Sequence, residues 1–233
     1  MKFSQLKFWS ALSISALLVA CGGGGGGANS GPIASTETFQ LRTSYVSYIN
    51  GSGSWPFTIS GSTSGVNVTG NGTETAGSVA SATFEGQAAQ AKTTTATGTF
   101  SANGQSYPLA TTTTAYVSSN YDPLGFNGSE YEVVSTSTPI PVTARVNDTG
   151  TWYSSVRYTS SSKATRAGTA TSTFVLEPDT ASTALLKIIR VEKNTSGTVT
   201  STNTSTFRMT PAGALTRLSE TILEGSTTLT LTY

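Results

Sequence analysis

Hydroxyl side chains and closely spaced turn signals are the sequence feature that most restricts the fold of this chain. Serine and threonine supply 34 and 43 of the 233 residues, and threonine favours extended strands. Ser64-Gly65, Asn71-Gly72 and Asn103-Gly104 interrupt the hydroxyl-rich runs, and such pairs are typical of tight β-hairpin turns. Short connections favour antiparallel neighbours. The sequence therefore predicts a mainly β domain, an antiparallel meander that forms a twisted sheet or a half-barrel.

One short helix is predicted at the N-terminal end of this domain, over residues 36–49. Leu41, Tyr45 and Ile49 recur there at helical spacing. A strand through Phe39, Leu41 and Tyr45 is the alternative. The helix would pack against one side of the sheet.

The β domain is expected to span residues 36–233 as a single unit. This length is enough to bury the core of one large β domain. Pro139 and Pro141 lie near the middle of this segment, and proline is found at strand ends or in edge strands. A subdomain boundary near residues 136–141 is therefore the alternative to one continuous domain.

Charge and residue usage exclude several classes of function. Lys and Arg total 13 and Asp and Glu total 12, so the net charge of +1 argues against nucleic-acid binding. Histidine is absent, which removes imidazole bases, His-dependent triads and His metal ligands. A single cysteine cannot form an internal disulfide. Phosphate-loop, EF-hand and dinucleotide motifs are also missing, so we expect no cofactor and no metal.

Residues 1–20 have the pattern of a secretory signal peptide. Lys2 and Lys7 form a basic start, and the apolar stretch that follows is short for a membrane span. The stretch ends in Leu18-Val19-Ala20-Cys21, which resembles the lipobox of bacterial lipoproteins. The resemblance implies cleavage before Cys21 and attachment of acyl chains such as palmitate to that cysteine. Because Gly22 and not aspartate follows, it also implies transfer to the outer membrane.

Glycine dominates the segment that follows the cysteine. Residues 21–35 carry only Ile33 as a sizeable apolar side chain after the lipidated position. Such a composition cannot bury enough apolar surface to order itself. We therefore expect a flexible tether that lets the domain stand away from the bilayer.

Aromatic residues are the candidate ligand-binding residues. Trp152, Tyr153 and Tyr158 fall on one predicted strand, and strand alternation places Trp152 and Tyr158 on one face with Tyr153 on the other. An exposed aromatic row can stack on sugars or cover an apolar ligand. Trp55 is a further candidate. Burial in the core is the alternative for all four residues.

A pair of carboxylates is a further candidate site. Glu130 and Glu132 lie two apart, so on a strand they would share one face. With Asp122 they could bind calcium or act as an acid pair. The preferred interpretation is a solvated strand face, with no catalytic residues.

Together these features predict a lipid-anchored cell-envelope protein whose β domain binds or scaffolds without catalysis. The membrane is the expected partner through Cys21, and an envelope protein, a glycan or a lipid is the expected ligand. One alternative is a carrier of a lipid or other apolar molecule in a half-barrel. The other is an envelope enzyme that works without histidine.

Overall fold

The computed structural model describes residues 31–233, so the predicted signal peptide and Cys21 lie outside the described residues. The described chain forms one helix and thirteen strands. The helix is α1 (Leu41–Asn50), and the strands are β1 (Gly53–Thr63), β2 (Val66–Ala76), β3 (Ala80–Phe84), β4 (Gln87–Ala102), β5 (Gln105–Val117), β6 (Pro123–Asn127), β7 (Tyr131–Ser137), β8 (Thr149–Tyr158), β9 (Arg166–Thr180), β10 (Thr183–Asn194), β11 (Val199–Met209), β12 (Leu215–Glu224) and β13 (Thr227–Thr232). None of the helices within residues 31–233 is long and apolar enough to cross a membrane.

The strands form a closed barrel. Every pairing is antiparallel, and strands β4 to β13 follow one another around the sheet in chain order. β1 pairs with both β13 and β2, and β2 pairs with β4, which completes a ring of twelve strands. The prediction of a mainly β antiparallel fold with one short helix is confirmed. The sheet closes into a complete barrel instead of the predicted half-barrel, so the ring of twelve strands has no free edge.

Closure depends on a strand where the sequence predicted a turn. Asn71-Gly72 is not a hairpin but the middle of β2, where Gly72 lies opposite Gly98 of β4. A Cβ added at Gly72 would lie 2.5 Å from the ring of Phe57, and one added at Gly98 would lie 2.2 Å from the backbone oxygen of Asn71. Glycine is therefore needed here for close approach of backbones, not for a turn.

Local turn chemistry correctly predicts the other two pairs. Ser64-Gly65 joins β1 to β2, and Asn103-Gly104 joins β4 to β5. All four residues have positive φ, with values of 51° at Asn103 and 73° at Gly104. These are the angles that two-residue hairpin turns require.

The apolar side chains of the barrel point inward, where they share the interior with buried charged groups, and the outer surface is rich in hydroxyl groups. On β4 and β5 the inward side chains include Ala96, Phe100 and Leu109, which are buried. The outward side chains include Thr93 and Thr114, whose hydroxyl groups lie 2.9 Å apart on the exposed surface. The strand alternation of many threonines with fewer apolar residues thus separates a wet outer face from a packed inner face.

Two apolar clusters fill the interior. The first lies beneath α1 and includes Phe39, Leu41, Phe174, Leu176, Leu186, Ile188, Phe207 and Met209. The second lies between the first strands and the last strands and includes Phe57, Ile59, Val68, Phe100, Leu109, Ile222, Leu229 and Leu231.

The extra strand covers part of the outer surface. β3 pairs with the first residues of β4, and this hairpin extends beyond the ring. Phe84 stacks on Tyr116 with ring centroids 4.5 Å apart, and it also packs against Tyr131. The hydroxyl of Tyr131 donates a hydrogen bond of 2.7 Å to Glu85. The hairpin therefore covers an apolar patch on the outside of β5 to β7.

Helix α1 closes one end of the barrel. The predicted helix begins at Leu41 and not at residue 36, because Phe39 exchanges two backbone hydrogen bonds with Ala144. Arg42 donates from Nη2 to the backbone oxygen of Asn120 at 2.8 Å. These contacts tie α1 to the β7–β8 and β5–β6 connections.

The last residues of the predicted tether are attached to the barrel. Ile33 donates a backbone hydrogen bond to Asp179 at 3.2 Å, and the hydroxyl of Ser35 donates to Ala181 at 2.8 Å. Ser35 is buried. The expectation of a free tether up to residue 35 is therefore wrong for these positions, because the β9–β10 end of the barrel offers backbone acceptors that composition alone does not reveal.

Candidate functional site

An apolar cavity of about 110 Å³ lies between α1 and the inner wall of the barrel. Tyr45 of α1 and Trp152, Phe174 and Phe207 of the wall are among its lining residues. The rings of Tyr45 and Trp152 meet edge to face, with centroids 4.6 Å apart and planes at 84°. Such contacts favour a fixed aromatic arrangement. The cavity is therefore a preformed apolar space beneath the helix.

A bulge in β8 brings two of the predicted aromatic residues into this cavity. The pairing of β8 with β9 skips a residue between Thr151 and Tyr153, and Trp152 occupies the skipped position. Both Trp152 and Tyr153 therefore line the cavity. The prediction that Trp152 and Tyr158 share a face is wrong, because Tyr158 packs into the outer cluster around Phe84.

The tyrosine hydroxyls near the cavity are held neutral. Burial raises the pKa of Tyr153 to about 12. Burial also raises the pKa of Tyr45 well above its usual value of 10. A phenol in this state is a poor general acid or base at neutral pH.

Lys92 of β4 places a buried ammonium group beside the cavity. Its Nζ donates to the backbone oxygens of Tyr48 at 2.5 Å and of Gly51 at 2.6 Å, and it lies 4.8 Å from the ring centroid of Tyr48. Carbonyl groups at a helix C-terminus carry partial negative charge, so they stabilise the cation. Burial lowers the pKa of Lys92 to about 8, which leaves most of the population charged at neutral pH.

An ionic cluster around Arg217 lies next to Lys92. Arg217 contacts Glu74 through Nη1 and donates to Glu220 from Nη2 at 3.0 Å. The hydroxyl of Tyr233 donates to Glu74 at 3.1 Å, and the amide of Asn203 donates to Glu220 at 2.8 Å. Burial raises the pKa of Glu220 to about 7, although the charge of Arg217 opposes this effect.

A groove of about 300 Å³ leads from this cluster to the outside, between α1 and the strands β1 and β2. Glu74, Lys92 and Ser47 are among its lining residues. Trp55, the remaining predicted aromatic, is half-buried and lines this groove but not the cavity. The structure therefore does not bring Trp55 together with Trp152.

The predicted carboxylate pair lies inside the barrel, away from solvent. Glu132 accepts two hydrogen bonds from Arg190, at 2.8 Å and 2.5 Å, and both side chains are fully buried. Arg157 contacts Glu130 and Glu192 at 2.7 Å each. The prediction of a solvated face is wrong, because each carboxylate meets an arginine from another strand, Arg190 of β10 for Glu132 and Arg157 of β8 for Glu130.

Asp122 does not join this network as a metal site. It lies in the β5–β6 connection, where its backbone N–H donates to the hydroxyl of Ser118 at 3.1 Å. In the part of the chain from residue 31 onward, no group of three acidic, His or Cys side chains is placed to hold a metal ion.

Sequence reasoning missed the buried basic residues. Arg190 follows Leu186 and Ile188 at alternate positions of β10, so strand alternation places it on the inner face. Lys92 likewise alternates with inward residues of β4. A basic residue in phase with an apolar face was the signal that could have identified Arg190 and Lys92. Arg217 carries no such signal, because a register shift in the pairing of β11 with β12 separates it from the buried Glu220 and Ile222.

Comparison with protein-family profiles, with curated proteins and with solved structures found no match for this chain. The class of protein is therefore defined by the architecture of the described residues alone. It is a closed twelve-stranded antiparallel barrel with an apolar interior cavity beneath a short N-terminal helix.

Proposed function

We propose that this protein is a lipid-anchored envelope protein whose barrel binds a small apolar ligand beneath α1. The observation that carries the proposal is the cavity lined by Tyr45, Trp152, Phe174 and Phe207. Binding sites for small molecules are concave and mostly apolar, with few polar groups. The proposed role is binding without catalysis.

The state of the polar groups supports a non-catalytic role. Tyr153 and Tyr45 have neutral hydroxyls, and the carboxylates of Glu130 and Glu132 are held by arginines. A general base needs a pKa near the working pH and access to substrate. Glu132 is fully buried, so it lacks that access.

The anchor is proposed from the lipobox resemblance at Cys21. Each buried methylene contributes about 0.8 kcal/mol, and stable anchoring takes more than one acyl chain. Acylation of Cys21 would keep the barrel at the outer membrane, where a lipid or another apolar envelope compound is the ligand at hand.

Filling the cavity tests the binding proposal. Ala115 of β5 lines the cavity, and Ala110 of the same strand faces outward and is exposed. The mature lipoprotein in lipid nanodiscs is titrated with 1-octanol by calorimetry, with empty nanodiscs as the blank. We expect saturable binding that Ala115→Leu weakens at least about tenfold and Ala110→Leu leaves unchanged, because only the first side chain occupies the space.

Two results would refute the proposal. Wild-type protein that shows no saturable heat above the blank has no accessible apolar site. Binding that survives Ala115→Leu in a variant with wild-type circular dichroism takes place somewhere other than the cavity.

A further inference from the structure

The cavity and the groove meet at Lys92. Tyr48, Lys92 and Leu215 line both spaces, so the ammonium group stands where the apolar interior opens toward the outside. Trp55 lies at the groove side of this junction. A ligand that enters through the groove would pass the ammonium before it reaches the cavity.

The ammonium has a hydrogen-bond donor to spare. A protonated lysine has three N–H donors, and Lys92 uses two of them on the backbone oxygens of Tyr48 and Gly51. No carboxylate of residues 31–233 lies within 4.0 Å of this nitrogen. Burial of a charge without a hydrogen-bonded counter-ion is costly.

The nearby carboxylates are engaged elsewhere. One oxygen of Glu74 contacts Arg217 and the other accepts from Tyr233. One oxygen of Glu220 accepts from Asn203 and the other from Arg217. Neither carboxylate lies within 4.0 Å of the Lys92 nitrogen, so neither accepts its remaining N–H bond.

We propose that the ligand is a single-chain amphiphile whose anionic head, a carboxylate or a phosphate, binds Lys92 while its hydrocarbon chain enters the cavity. This inference rests on the proposed function, since it assigns the chemistry of that same site. The anion accepts the spare N–H bond and supplies the missing counter-ion. Charge-assisted hydrogen bonds of this kind are shorter and stronger than neutral ones.

The charge balance near neutral pH agrees with an anionic head. Lys92 and Arg217 carry two positive charges, and Glu74 and Glu220 carry two negative charges when both are ionised. The pKa of Glu220, about 7, leaves that group partly protonated near neutrality, so the cluster has a positive excess below about pH 7. The tyrosines beside the cluster, Tyr48 and Tyr233, have pKa values raised by burial and add no negative charge.

The dimensions of the two spaces fit such a molecule. The cavity of about 110 Å³ is somewhat smaller than a cavity of about 150 Å³ that holds benzene, so it takes the end of a short chain. The groove of about 300 Å³ leaves room for the head and the first carbons. Together they reach the range of roughly 300–1,000 Å³ that is typical of ligand pockets.

A head-group series tests the inference on the intact lipoprotein in nanodiscs. The probes are octanoate, octyl phosphate, 1-octanol and octylamine, which share one chain and differ in the head. At about pH 6.5 we expect octanoate to bind at least about tenfold more tightly than 1-octanol, because a direct charge-assisted hydrogen bond contributes at least that factor. Octyl phosphate against octanoate decides between a phosphate and a carboxylate head.

Two variants assign the preference to Lys92. Lys92→Met keeps the length of the side chain without its charge, and Lys193→Met removes an exposed charge of β10 as the control. We expect Lys92→Met to abolish the preference for octanoate over 1-octanol, because the variant lacks the ammonium that binds the head. Lys193→Met should bind every probe as the wild type does.

The outcomes separate this inference from the proposed function. Equal binding of octanoate and 1-octanol to the wild type, or a preference that persists in Lys92→Met, overturns the inference and leaves apolar binding intact. Failure of every probe overturns both. If Lys92→Met does not fold, the wild type alone still tests the inference. Octylamine that binds the wild type as tightly as octanoate would overturn it, because a cationic site for the head group must prefer the anion.

Discussion

The buried carboxyl of Glu220 should make the free energy of unfolding depend on pH. Its pKa rises from 4.5 to about 7 on folding, chiefly because burial disfavours the charged form. The folded protein thus binds this proton more tightly than the unfolded chain does. The stabilisation of the folded state that comes from this tighter proton binding is fully present below about pH 4.5 and is lost as the pH rises through about 7.

The size of the effect follows from the difference between the two pKa values. That difference is about 2.5, and each pKa unit corresponds to about 1.4 kcal/mol, so the free energy of unfolding loses roughly 3 kcal/mol across this window. Glu220 is only 3% exposed, so solvent screens the effect little. Glu220→Gln removes the titration because glutamine resembles the protonated, uncharged acid.

Urea denaturation at several pH values between about 4.5 and 8 measures this effect. We expect the stability of Glu220→Gln relative to wild type to increase by roughly 3 kcal/mol from the acidic to the basic end of the range. The control is Glu177→Gln, which changes a partly exposed carboxylate on the outer end of β9 that pairs with Lys187. A stability difference between Glu220→Gln and wild type that stays constant with pH would refute the reasoning.

Two further predictions concern the interior charge network and the anchor. Arg190→Met should lower the free energy of unfolding in urea by about 3–5 kcal/mol, because the buried carboxylates of Glu132 and Glu192 lose the guanidinium that they share. The control, Lys187→Met on the outer face of β10, should lower it by less than about 1 kcal/mol. Equal losses would show that the buried pairs contribute nothing specific. Cys21→Ser should abolish labelling by radioactive palmitate and release the protein from the membrane fraction, and unchanged fractionation would exclude the lipid anchor.

Local chemistry was sufficient to predict the helix and two of the three glycine-containing hairpin turns. Ser64-Gly65 and Asn103-Gly104 are turns because their neighbours in the chain allow positive φ at little cost. The helix was predicted from the spacing of Leu41, Tyr45 and Ile49, and only its start was misplaced. These features depend on residues that are close in sequence, so the sequence alone specifies them.

The candidate site could be predicted only in part. The sequence indicates Trp152 and Tyr153 as aromatic candidates, but their shared position in the cavity depends on a bulge that simple alternation does not anticipate. No local pattern indicates the role of Lys92, because its partners are backbone oxygens at the end of α1, 41 and 44 positions away.

The sequence by itself determined a hydroxyl-rich antiparallel β domain, and the lipobox resemblance at Cys21 added the expectation of an anchor. Only the tertiary structure decided that the sheet closes, that Asn71-Gly72 lies within a strand, and that Glu132 lies inside with Arg190. The physical reason is distance along the chain. Glu132 and Arg190 are 58 positions apart in the sequence. Burial of a carboxylate is costly unless a cation is hydrogen-bonded to it, and only the folded chain brings this arginine to Glu132.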